Sequence, residues 1–317
     1  MRPTPLWLTE ADVGALITLP EAIEALERGL AMEARGDAQN MVKTHVAWDG
    51  GHTLHAIGAA FPAAGVVGTK TWAHTAGGAA PLLILFDSHT GAPTAIIEAF
   101  TLGQMRTGGI SGVATRWLAA DHADELAIIG TGKQAHAQVA AVAAVRRLTR
   151  VRVFSPNAAH RARFAQSVRT TFGVEVVDAR SVAEAVDGAP IITLVTRACE
   201  PLLSASMVCR GAHINAVGAI TPDRVELAAD IFPRCTRVVA DSVPSVQKLS
   251  REFIDYYGGS PADWSAVVPL SRIVAASPRR PPDTDLTLFK AMGMGIADLS
   301  LGIEVYARAR RRRGAAL

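Results

Sequence analysis

The 317-residue sequence contains few cysteines and few lysines, three and five respectively. Cys199, Cys209 and Cys235 do not have the spacing of metal ligands, so no metal site is predicted. No secretory signal peptide precedes them, which predicts a reduced, cytoplasmic environment in which the three thiols serve as packing residues.

Long apolar runs and a strong charge imbalance are also missing. No segment approaches the ~20 consecutive apolar residues that a membrane-spanning helix needs. The formal net charge is only +3, and much of the excess lies in the run from Arg308 to Arg313. Such a run could contact nucleic acid or an acidic membrane. At the end of a helix it also complements the helix dipole, and we expect this second role, with no nucleic-acid or membrane partner.

Length and composition predict a compact protein of two domains, with 49% hydrophobic and 19% charged residues. Pro20, an apolar stripe and Gly36 predict an amphipathic helix in "LPEAIEALERGLAMEARG". Between Val42 and Ala99 the period changes to two, which predicts a small, mostly antiparallel sheet with a hairpin turn at residues 87–91. Thr101 and Gln104 have the spacing of a capping box and predict the start of a connecting helix.

From Glu125 onward strands alternate with helices, as in "LAIIG", "RVRVFS", "VEVV", "IITLVT", "AHINAVG" and "RVVADS". This alternation predicts an α/β fold with a doubly wound parallel sheet. The last segment, "DLTLFKAMGMGIADLSLGIEVYARARRRR", is interpreted as one long helical stretch that could return to the first domain.

A glycine-rich turn follows the first strand of this sheet. Gly130 permits the tight turn, Gly132 permits close approach of a pyrophosphate, and the small Ala135 permits close helix packing. The phosphates would lie at the N-terminus of the next helix. An ordinary α/β turn without a ligand is the alternative.

The second strand of the sheet ends at Ser155 without the acidic residue that an NAD site usually places there. Ser155, Asn157 and Arg161 could instead receive a 2′-phosphate, which favours NADP over NAD. The alternative is that Arg161 and Arg163 belong to the solvated face of a helix.

Two cations outside this region are candidates for binding an anion. Lys70 lies within the strand "VVGTKTW" on the same face as Gly68 and Trp72, although a lysine on the solvated side of a sheet is the more ordinary interpretation. Arg106 lies near the start of a helix, where the dipole slightly disfavours a cation unless an anion offsets it.

The motifs "VVGTKTW", "LLILFDSHTGAPTAIIEAFTLGQMRTGGISGVATRWLA", "AIIGTGKQA", "IITLVT", "HINAVGA" and "FKAMGMGIADL" together resemble the ornithine cyclodeaminase and mu-crystallin family. The resemblance spans most of the chain. It implies a homodimer in which a Rossmann-type NAD(P)-binding domain, residues 119–288, is inserted into a smaller α+β substrate and dimerisation domain, residues 1–118 completed by 289–317. The active site would lie in the cleft between the two domains.

The resemblance also implies roles for individual residues. Lys70 and Arg106 would be the catalytic-site cations that hold the substrate carboxylate, a task suited to a bidentate guanidinium and a compact ammonium. A further family cation has no clear counterpart, and Lys43 or His45 could replace it. The implied cofactor-binding residues are Gly130, Thr131, Gly132, Gln134 and Ala135 in the glycine turn, Thr196 near the adenine-side ribose and phosphates, and Asn215, Val217 and Gly218 beside the nicotinamide.

The sequence departs from the family pattern at Ile220, where cyclodeaminases and the related alanine dehydrogenases have an aspartate that handles the substrate amine. An isoleucine cannot exchange a proton, and recruitment of the nearby Asp223 is the less favoured possibility. The favoured function is therefore NADPH-dependent reduction of a ketimine such as Δ1-pyrroline-2-carboxylate, with NAD also possible. The alternatives are ornithine cyclodeamination to proline and ammonia, and an NADPH-dependent small-ligand binding protein without turnover.

Overall fold

The computed structural model of the chain describes residues 4–278 and 280–314. The chain forms two compact units, which we call unit 1, Met1–Gly109 with Gly293–Leu317, and unit 2, Ile110–Met292. The sequence placed these boundaries at 118/119 and 288/289. Within the described ranges, no helix is both long enough and apolar enough to cross a membrane.

The first part of the chain supplies seven strands and three helices. In chain order they are β1 (Leu6–Leu8), α1 (Glu10–Leu16), α2 (Leu19–Arg35), β2 (Gln39–Asn40), β3 (Thr44–Trp48), β4 (His52–Phe61), β5 (Val66–His74), β6 (Leu82–Asp87), β7 (Pro93–Glu98) and α3 (Phe100–Leu118). Helix α2 matches the predicted amphipathic helix, with Thr18 at its N-cap and Gly36 at its left-handed C-cap.

The rest of the chain alternates strands and helices. The elements are β8 (Glu125–Ile129), α4 (Ala135–Val145), β9 (Arg150–Phe154), α5 (Ala158–Phe172), β10 (Glu175–Asp178), α6 (Val182–Val186), β11 (Ile191–Leu194), β12 (His213–Ala216), β13 (Cys235–Ala240), α7 (Val243–Leu249), α8 (Arg251–Tyr257), β14 (Val267–Pro269), α9 (Leu270–Ala276), β15 (Leu286–Lys290) and α10 (Gly295–Gly314).

Unit 1 is built on a sheet of strand order β1-β7-β6-β5-β4-β2, with β3 also paired to β4. All its pairs are antiparallel except β1 with β7, which confirms the predicted mostly antiparallel sheet. Helix α10 packs against this sheet at very close range. A Cβ on Gly295 would lie only 1.8 Å from the carbonyl oxygen of Gly58, so glycine is required for this approach.

Unit 2 is built on a parallel sheet of order β10-β9-β8-β11-β12-β15-β13-β14. Alternate residues of β8 enter different apolar cores: Ala127 and Ile129 pack on one face of the sheet, Leu126 and Ile128 on the other. Both faces are therefore covered, and the predicted Rossmann-type doubly wound α/β fold is confirmed. The strand order reverses between β8 and β11, which is where such sheets bind ligands at their carboxyl edge.

Two expectations for secondary structure are wrong. The segment "DLTLFK" is not helical, because Leu286–Lys290 forms the fully buried strand β15 between β12 and β13. A short apolar run of this kind does not distinguish strand from helix by period. Helix α3 begins at Phe100 rather than Thr101, and the carboxylate of Glu10 accepts hydrogen bonds from the backbone N–H groups of both residues in place of the predicted capping box.

The cysteines and the arginine run also have definite positions. Cys209 and Cys235 pack against an apolar core, as expected, whereas Cys199 is exposed and is not a packing residue. Arg311, Arg312 and Arg313 form the last turn of α10, which confirms that the run ends a helix.

Candidate active site

A buried ion-pair cluster lies in unit 1. The ammonium Nζ of Lys70 donates to Oδ1 of Asp298 at 2.5 Å, and Nε of Arg106 donates to the same oxygen at 3.1 Å. The Lys70 residue is 4% exposed and Asp298 is inaccessible to solvent. The anion expected beside both cations is therefore a carboxylate of the chain itself.

Three elements bring this cluster together. Strand β5 directs Lys70 and Trp72 to the same face, with the ammonium 5.3 Å from the indole centroid. Arg106 follows in the second turn of α3, and Asp298 lies in the first turn of α10, where the helix dipole favours an acid. Lys70 is buried and ion-paired, so the interpretation of it as a solvated surface lysine is wrong.

The cluster carries more positive than negative charge. Burial lowers the pKa of Lys70 to about 8, a shift that the Asp298 carboxylate opposes and the neighbouring Arg106 and Lys43 reinforce. Burial, followed by the charge of Arg106, also lowers the pKa of Lys43, again against the pull of Asp298. Lys70 and Arg106 thus pair with one carboxylate, whose charge also acts on Lys43. Among the described residues, Oδ2 of that carboxylate is buried without a hydrogen-bond partner.

Aromatic rings line the same sheet face beside the cations. His45, His55 and Trp72 are cross-strand neighbours on β3, β4 and β5. The rings stack with centroids 5.5 Å apart for the two histidines and 4.8 Å for His55 and Trp72. Burial and the charge of Lys43 lower the pKa of His55, which favours its neutral form. Of the two candidates for the missing family cation, Lys43 interacts with the cluster while His45 belongs to this stack.

The glycine turn of unit 2, residues 130–135, has the backbone that the sequence predicted. Gly130 has φ +109°, and a Cβ there would lie 2.6 Å from the carbonyl oxygen of Val195. Gly132 has no protein atom within 4 Å of where its Cβ would be, so its surface is open to a ligand. Gln134 forms the N-cap of α4 and leaves its Oε1 buried without a partner, while Ala135 is fully buried.

Two further turns lie at the same carboxyl edge, after β11 and β12. We call residues 195–198 the Thr196 turn and residues 217–219 the Gly218 turn. A Cβ on Gly218 would lie 2.2 Å from the carbonyl oxygen of Thr196, so the backbones of the two turns are in contact. The structure therefore places Gly130, Thr196, Val217 and Gly218 at the ends of adjacent strands of one sheet.

Asn215 lies deeper, inside strand β12. Its side chain is inaccessible to solvent, donates to Oγ1 of Thr115 at 2.9 Å and hydrogen-bonds to Nε2 of His213 at 3.1 Å. Contact between this side chain and a nicotinamide would require the network to open. Its role as a cofactor ligand stays a prediction.

The residues proposed to receive a 2′-phosphate already have partners. The guanidinium of Arg161 pairs with Asp178 and donates to the carbonyl oxygen of Ser155 at 2.7 Å. The side chain of Asn157 caps α5 by accepting from the backbone N–H of His160 at 2.9 Å. Asp178 ends strand β10, so a carboxylate does lie beside the second strand of the sheet, although it comes from the third.

The position of the missing family aspartate is apolar and partly open. Ile220 is 38% exposed. Asp223 has a side chain that is 64% exposed and pairs with its neighbour Arg224 at 3.0 Å. Neither residue has the burial or the partners of a tuned catalytic acid or base.

Unit 2 also contains a cavity of about 820 Å³ at the opposite edge of the sheet, lined partly by Pro190 and Gly211, which precede β11 and β12. Two of its arginines, Arg210 and Arg280, donate hydrogen bonds to backbone carbonyl oxygens of the chain. Arg280 donates to the carbonyl oxygens of Leu118 and Gly211 at 2.7 and 2.6 Å. The two candidate regions, each within its own unit, are therefore the cation cluster of unit 1 and the glycine turn of unit 2 rather than this cavity.

Comparison with known proteins agrees with these features. The sequence profile of the Ornithine cyclodeaminase/mu-crystallin family matches residues 4–313. The chain belongs to this family. It is 31% identical over 233 residues to a Delta(1)-pyrroline-2-carboxylate reductase of Bacillus cereus (strain ZK / E33L), covering 73% of this chain and 71% of that protein.

Two further relatives are also similar over most of the chain. Ketimine reductase mu-crystallin of Rattus norvegicus is 34% identical over 225 residues, covering 71% of this chain and 68% of that one. The solved structure of Thermococcus litoralis Delta(1)-pyrroline-2-carboxylate reductase in complex with NADH and L-proline superposes with a TM-score of 0.89 at 28% identity, covering 97% and 98% of the two chains.

Sequence reasoning missed two acidic residues. Asp298 was quoted within a family motif but given no role, and Glu226 was not singled out. Glu226 is inaccessible to solvent and accepts hydrogen bonds from the Thr196 and Gly218 turns. The only local sign of Asp298 is an acid in the first turn of a helix, which is ordinary at the surface, and Glu226 lies outside any regular element.

Proposed function

We propose that this family member is a nicotinamide-dinucleotide-dependent oxidoreductase that reduces the carbon–nitrogen double bond of a cyclic α-imino acid such as Δ1-pyrroline-2-carboxylate. The observation that carries the proposal is the excess positive charge of the cluster in unit 1. Within the described part of the chain, Lys70 and Arg106 pair with Asp298 and Lys43 is affected by the same charge, so the cluster has positive charge left to accept the carboxylate of a substrate.

The glycine turn suits a dinucleotide. The diphosphate would lie at the N-terminus of α4, where backbone N–H groups and the helix dipole favour an anion. Gly132 leaves open surface for it, and the unpartnered Oε1 of Gln134 can accept a hydrogen bond from a ligand hydroxyl. Gly130, Gly132, Gln134 and Thr196 are the residues that would hold the cofactor.

The chain's contribution to the reaction is mostly binding and orientation. A bound reduced nicotinamide would supply the hydride that adds to the imine carbon. Lys70 and Arg106 would hold the substrate carboxylate and so fix the imine carbon in place, an effect that can supply much of a rate enhancement. The nitrogen ends as an amine, so it needs a proton, which Lys70 can donate because its pKa lies close to neutrality.

The apolar Ile220 favours reduction over ornithine cyclodeamination. Cyclodeamination must first remove a proton from the substrate amine, and the exposed Asp223 with its Arg224 partner offers no tuned base. Reduction of a preformed imine does not need that step. A ligand-binding protein without turnover is the second alternative, and the same missing acid favours it over cyclodeamination.

Three assays separate these functions. NADH and NADPH oxidation would be followed with a panel of cyclic imino acids, ammonia release would be measured with ornithine, and dinucleotide binding would be measured by calorimetry. We expect imine-dependent oxidation of NADH or NADPH, without ammonia release from ornithine. Tight dinucleotide binding with no turnover of any imine would favour the binding protein instead.

Arg106→Ala tests the carboxylate grip directly. We expect kcat/KM for the best imino acid to fall by about 100-fold, since a charged, hydrogen-bonded contact is lost. Arg106→Lys is the matched variant, which keeps the charge but not the bidentate geometry. Its kcat/KM should lie between those of the wild type and Arg106→Ala. An unchanged kcat/KM in Arg106→Ala would mean that the grip is assigned to the wrong residue.

We also propose that the chain assembles as a homodimer through unit 1. Val46 and Leu54 form a cross-strand pair on β3 and β4, and they and Trp48 are 57%, 45% and 45% exposed. Large apolar side chains grouped at the edge of a sheet are typical of an interface. Sedimentation equilibrium of the wild type and of Val46→Asp checks this, with a monomer expected for the variant.

A further inference from the structure

Glu226 is a buried carboxylate that the proposed reaction does not use. Its Oε1 accepts from the backbone N–H and the hydroxyl of Thr196 at 2.6 and 2.8 Å. Its Oε2 accepts from the backbone N–H groups of Gly218 and Ala219 at 2.9 and 3.0 Å. Four donors thus converge on one side chain that solvent does not reach.

These donors belong to two different turns. The Thr196 turn follows β11 and the Gly218 turn follows β12. Both turns lie at the carboxyl edge of the sheet, close to the point between β8 and β11 where the strand order reverses. Gly130 also packs against the first of them, since its Cβ would lie 3.2 Å from Cγ2 of Thr196. Glu226 is therefore the side chain through which the two turns beside the glycine turn are joined.

Glu226 is itself held in place by a second buried acid. The backbone N–H groups of Glu226 and Leu227 donate to Oε1 of Glu252 at 2.5 and 2.8 Å. The other oxygen of Glu252 accepts from the ammonium of Lys290 at 2.9 Å, and both of these side chains are inaccessible to solvent. A shift of the backbone around Glu226 would break these two hydrogen bonds to Glu252.

The chemistry of the donor set requires a carboxylate. All four groups donate hydrogen bonds, two to each oxygen of Glu226. An ionised carboxylate only accepts, so it can satisfy all four donors. A glutamine in this position would direct its amide N–H₂ against at least one backbone N–H group in either orientation of the amide. Burial raises the pKa of Glu226, and the nearby Lys290 charge and the Thr196 hydrogen bonds act in the opposite direction.

We propose that Glu226 is a positioning residue that ties the Gly218 turn to the Thr196 turn and so holds the Gly218 turn in the form that receives the nicotinamide half of the dinucleotide. The inference rests on the proposed function, because it needs a dinucleotide at this edge of the sheet. The glycine turn, which would hold the diphosphate, makes no hydrogen bond to Glu226 among those described. The two halves of the cofactor should therefore respond differently when Glu226 is changed.

The test compares NADH with ADP, which contains only the adenosine and diphosphate part. Dissociation constants for both would be measured by calorimetry on the full chain for wild type, Glu226→Gln and Glu226→Asp. We expect Glu226→Gln to weaken NADH by about tenfold or more, whereas ADP, which lacks the nicotinamide half, should weaken by less than about threefold. Glu226→Asp keeps the charge, and its dissociation constant for NADH should lie between those of the wild type and Glu226→Gln.

Glu200→Gln is the matched control, because it removes one exposed carboxylate close to the same turn. It should leave both constants unchanged. If Glu226→Gln does not fold, judged by circular dichroism, Glu226→Asp decides in the same way.

Two results would overturn the inference alone: equal weakening of NADH and ADP, which indicates a general structural role, and no change in either. A wild-type chain that binds none of NADH, NADPH and ADP would overturn the proposed function together with it.

Discussion

The ammonium of Lys70 and the carboxylate of Asp298 lie 2.5 Å apart although 228 residues separate them in the chain. Both side chains are almost completely buried, at 5% and 0% exposure. The same carboxylate oxygen accepts from Arg106. Asp298 therefore fixes two like charges close to each other, and each would be poorly compensated without it.

Removal of the Asp298 charge should weaken both folding and substrate binding. In Asp298→Asn the two cations remain buried without their anion, and the free energy of unfolding should fall by about 3 kcal/mol. The Michaelis constant for the imino acid should rise, because Lys70 and Arg106 are no longer held in place. Urea unfolding and steady-state kinetics measure the two effects.

Glu304→Gln on the same helix is the control for this variant. Glu304 pairs with Arg28 and Arg308, both more exposed than Lys70, so its loss should cost less than about 1 kcal/mol. Equal unfolding free energies for Asp298→Asn and Glu304→Gln would contradict the structural role given to Asp298.

The pH dependence of substrate binding should follow Lys70. Burial lowers its pKa to about 8, so the ammonium is present below that pH and is lost as the pH rises through it. The Michaelis constant for the imino acid should therefore increase above pH 8. Lys70→Arg keeps its charge throughout this range, and its profile should stay flat where the wild-type profile rises. Coincident profiles for the two proteins would assign the titration to another group.

The glycine turn could be predicted from the sequence because its requirements are local. A strand, a left-handed glycine and a helix follow one another within a few residues, and the structure shows the φ of +109° at Gly130 that only glycine readily adopts. Lys70 and Arg106 were recognised through the family resemblance. Asp298 was not recognised, because its partners Lys70 and Arg106 precede unit 2 in the sequence whereas Asp298 follows it.

The same limit explains why the partner of Arg161 was missed and why strand β15 was interpreted wrongly. Arg161 has the right place in the sequence to bind a 2′-phosphate, but its pairing with Asp178 depends on which strand lies next to β9. Strand β15 was interpreted as part of a helix because its neighbours, β12 and β13, come from distant parts of the chain. Patterns within one segment do not reveal such neighbours.

Gly130 and Gly132 should respond differently to alanine. Gly130→Ala combines a strained φ with a Cβ that would lie 2.6 Å from the carbonyl oxygen of Val195, so the chain should lose about 2 kcal/mol or more of unfolding free energy. A Cβ on Gly132 meets no protein atom within 4 Å, so Gly132→Ala should unfold like the wild type yet bind the dinucleotide more weakly. Thermal unfolding and calorimetry test the pair. Normal dinucleotide binding by Gly132→Ala would contradict the assignment of the glycine turn to the cofactor site.

The choice between NADPH and NADH should depend on the pair formed by Arg161 and Asp178. The guanidinium of Arg161 pairs with Asp178, so a 2′-phosphate must compete with that carboxylate. Asp178→Asn releases the guanidinium and should raise the preference for NADPH over NADH by about tenfold.

Arg161→Ala should lower that preference, and Arg163→Ala, which removes an exposed arginine of the same helix, should leave it unchanged. The measurement is the ratio of kcat/KM for the two cofactors at a fixed imino-acid concentration. A ratio that does not respond to Asp178→Asn or Arg161→Ala would show that the adenosine ribose is recognised elsewhere, and the preference for NADP predicted from Ser155, Asn157 and Arg161 would then be wrong.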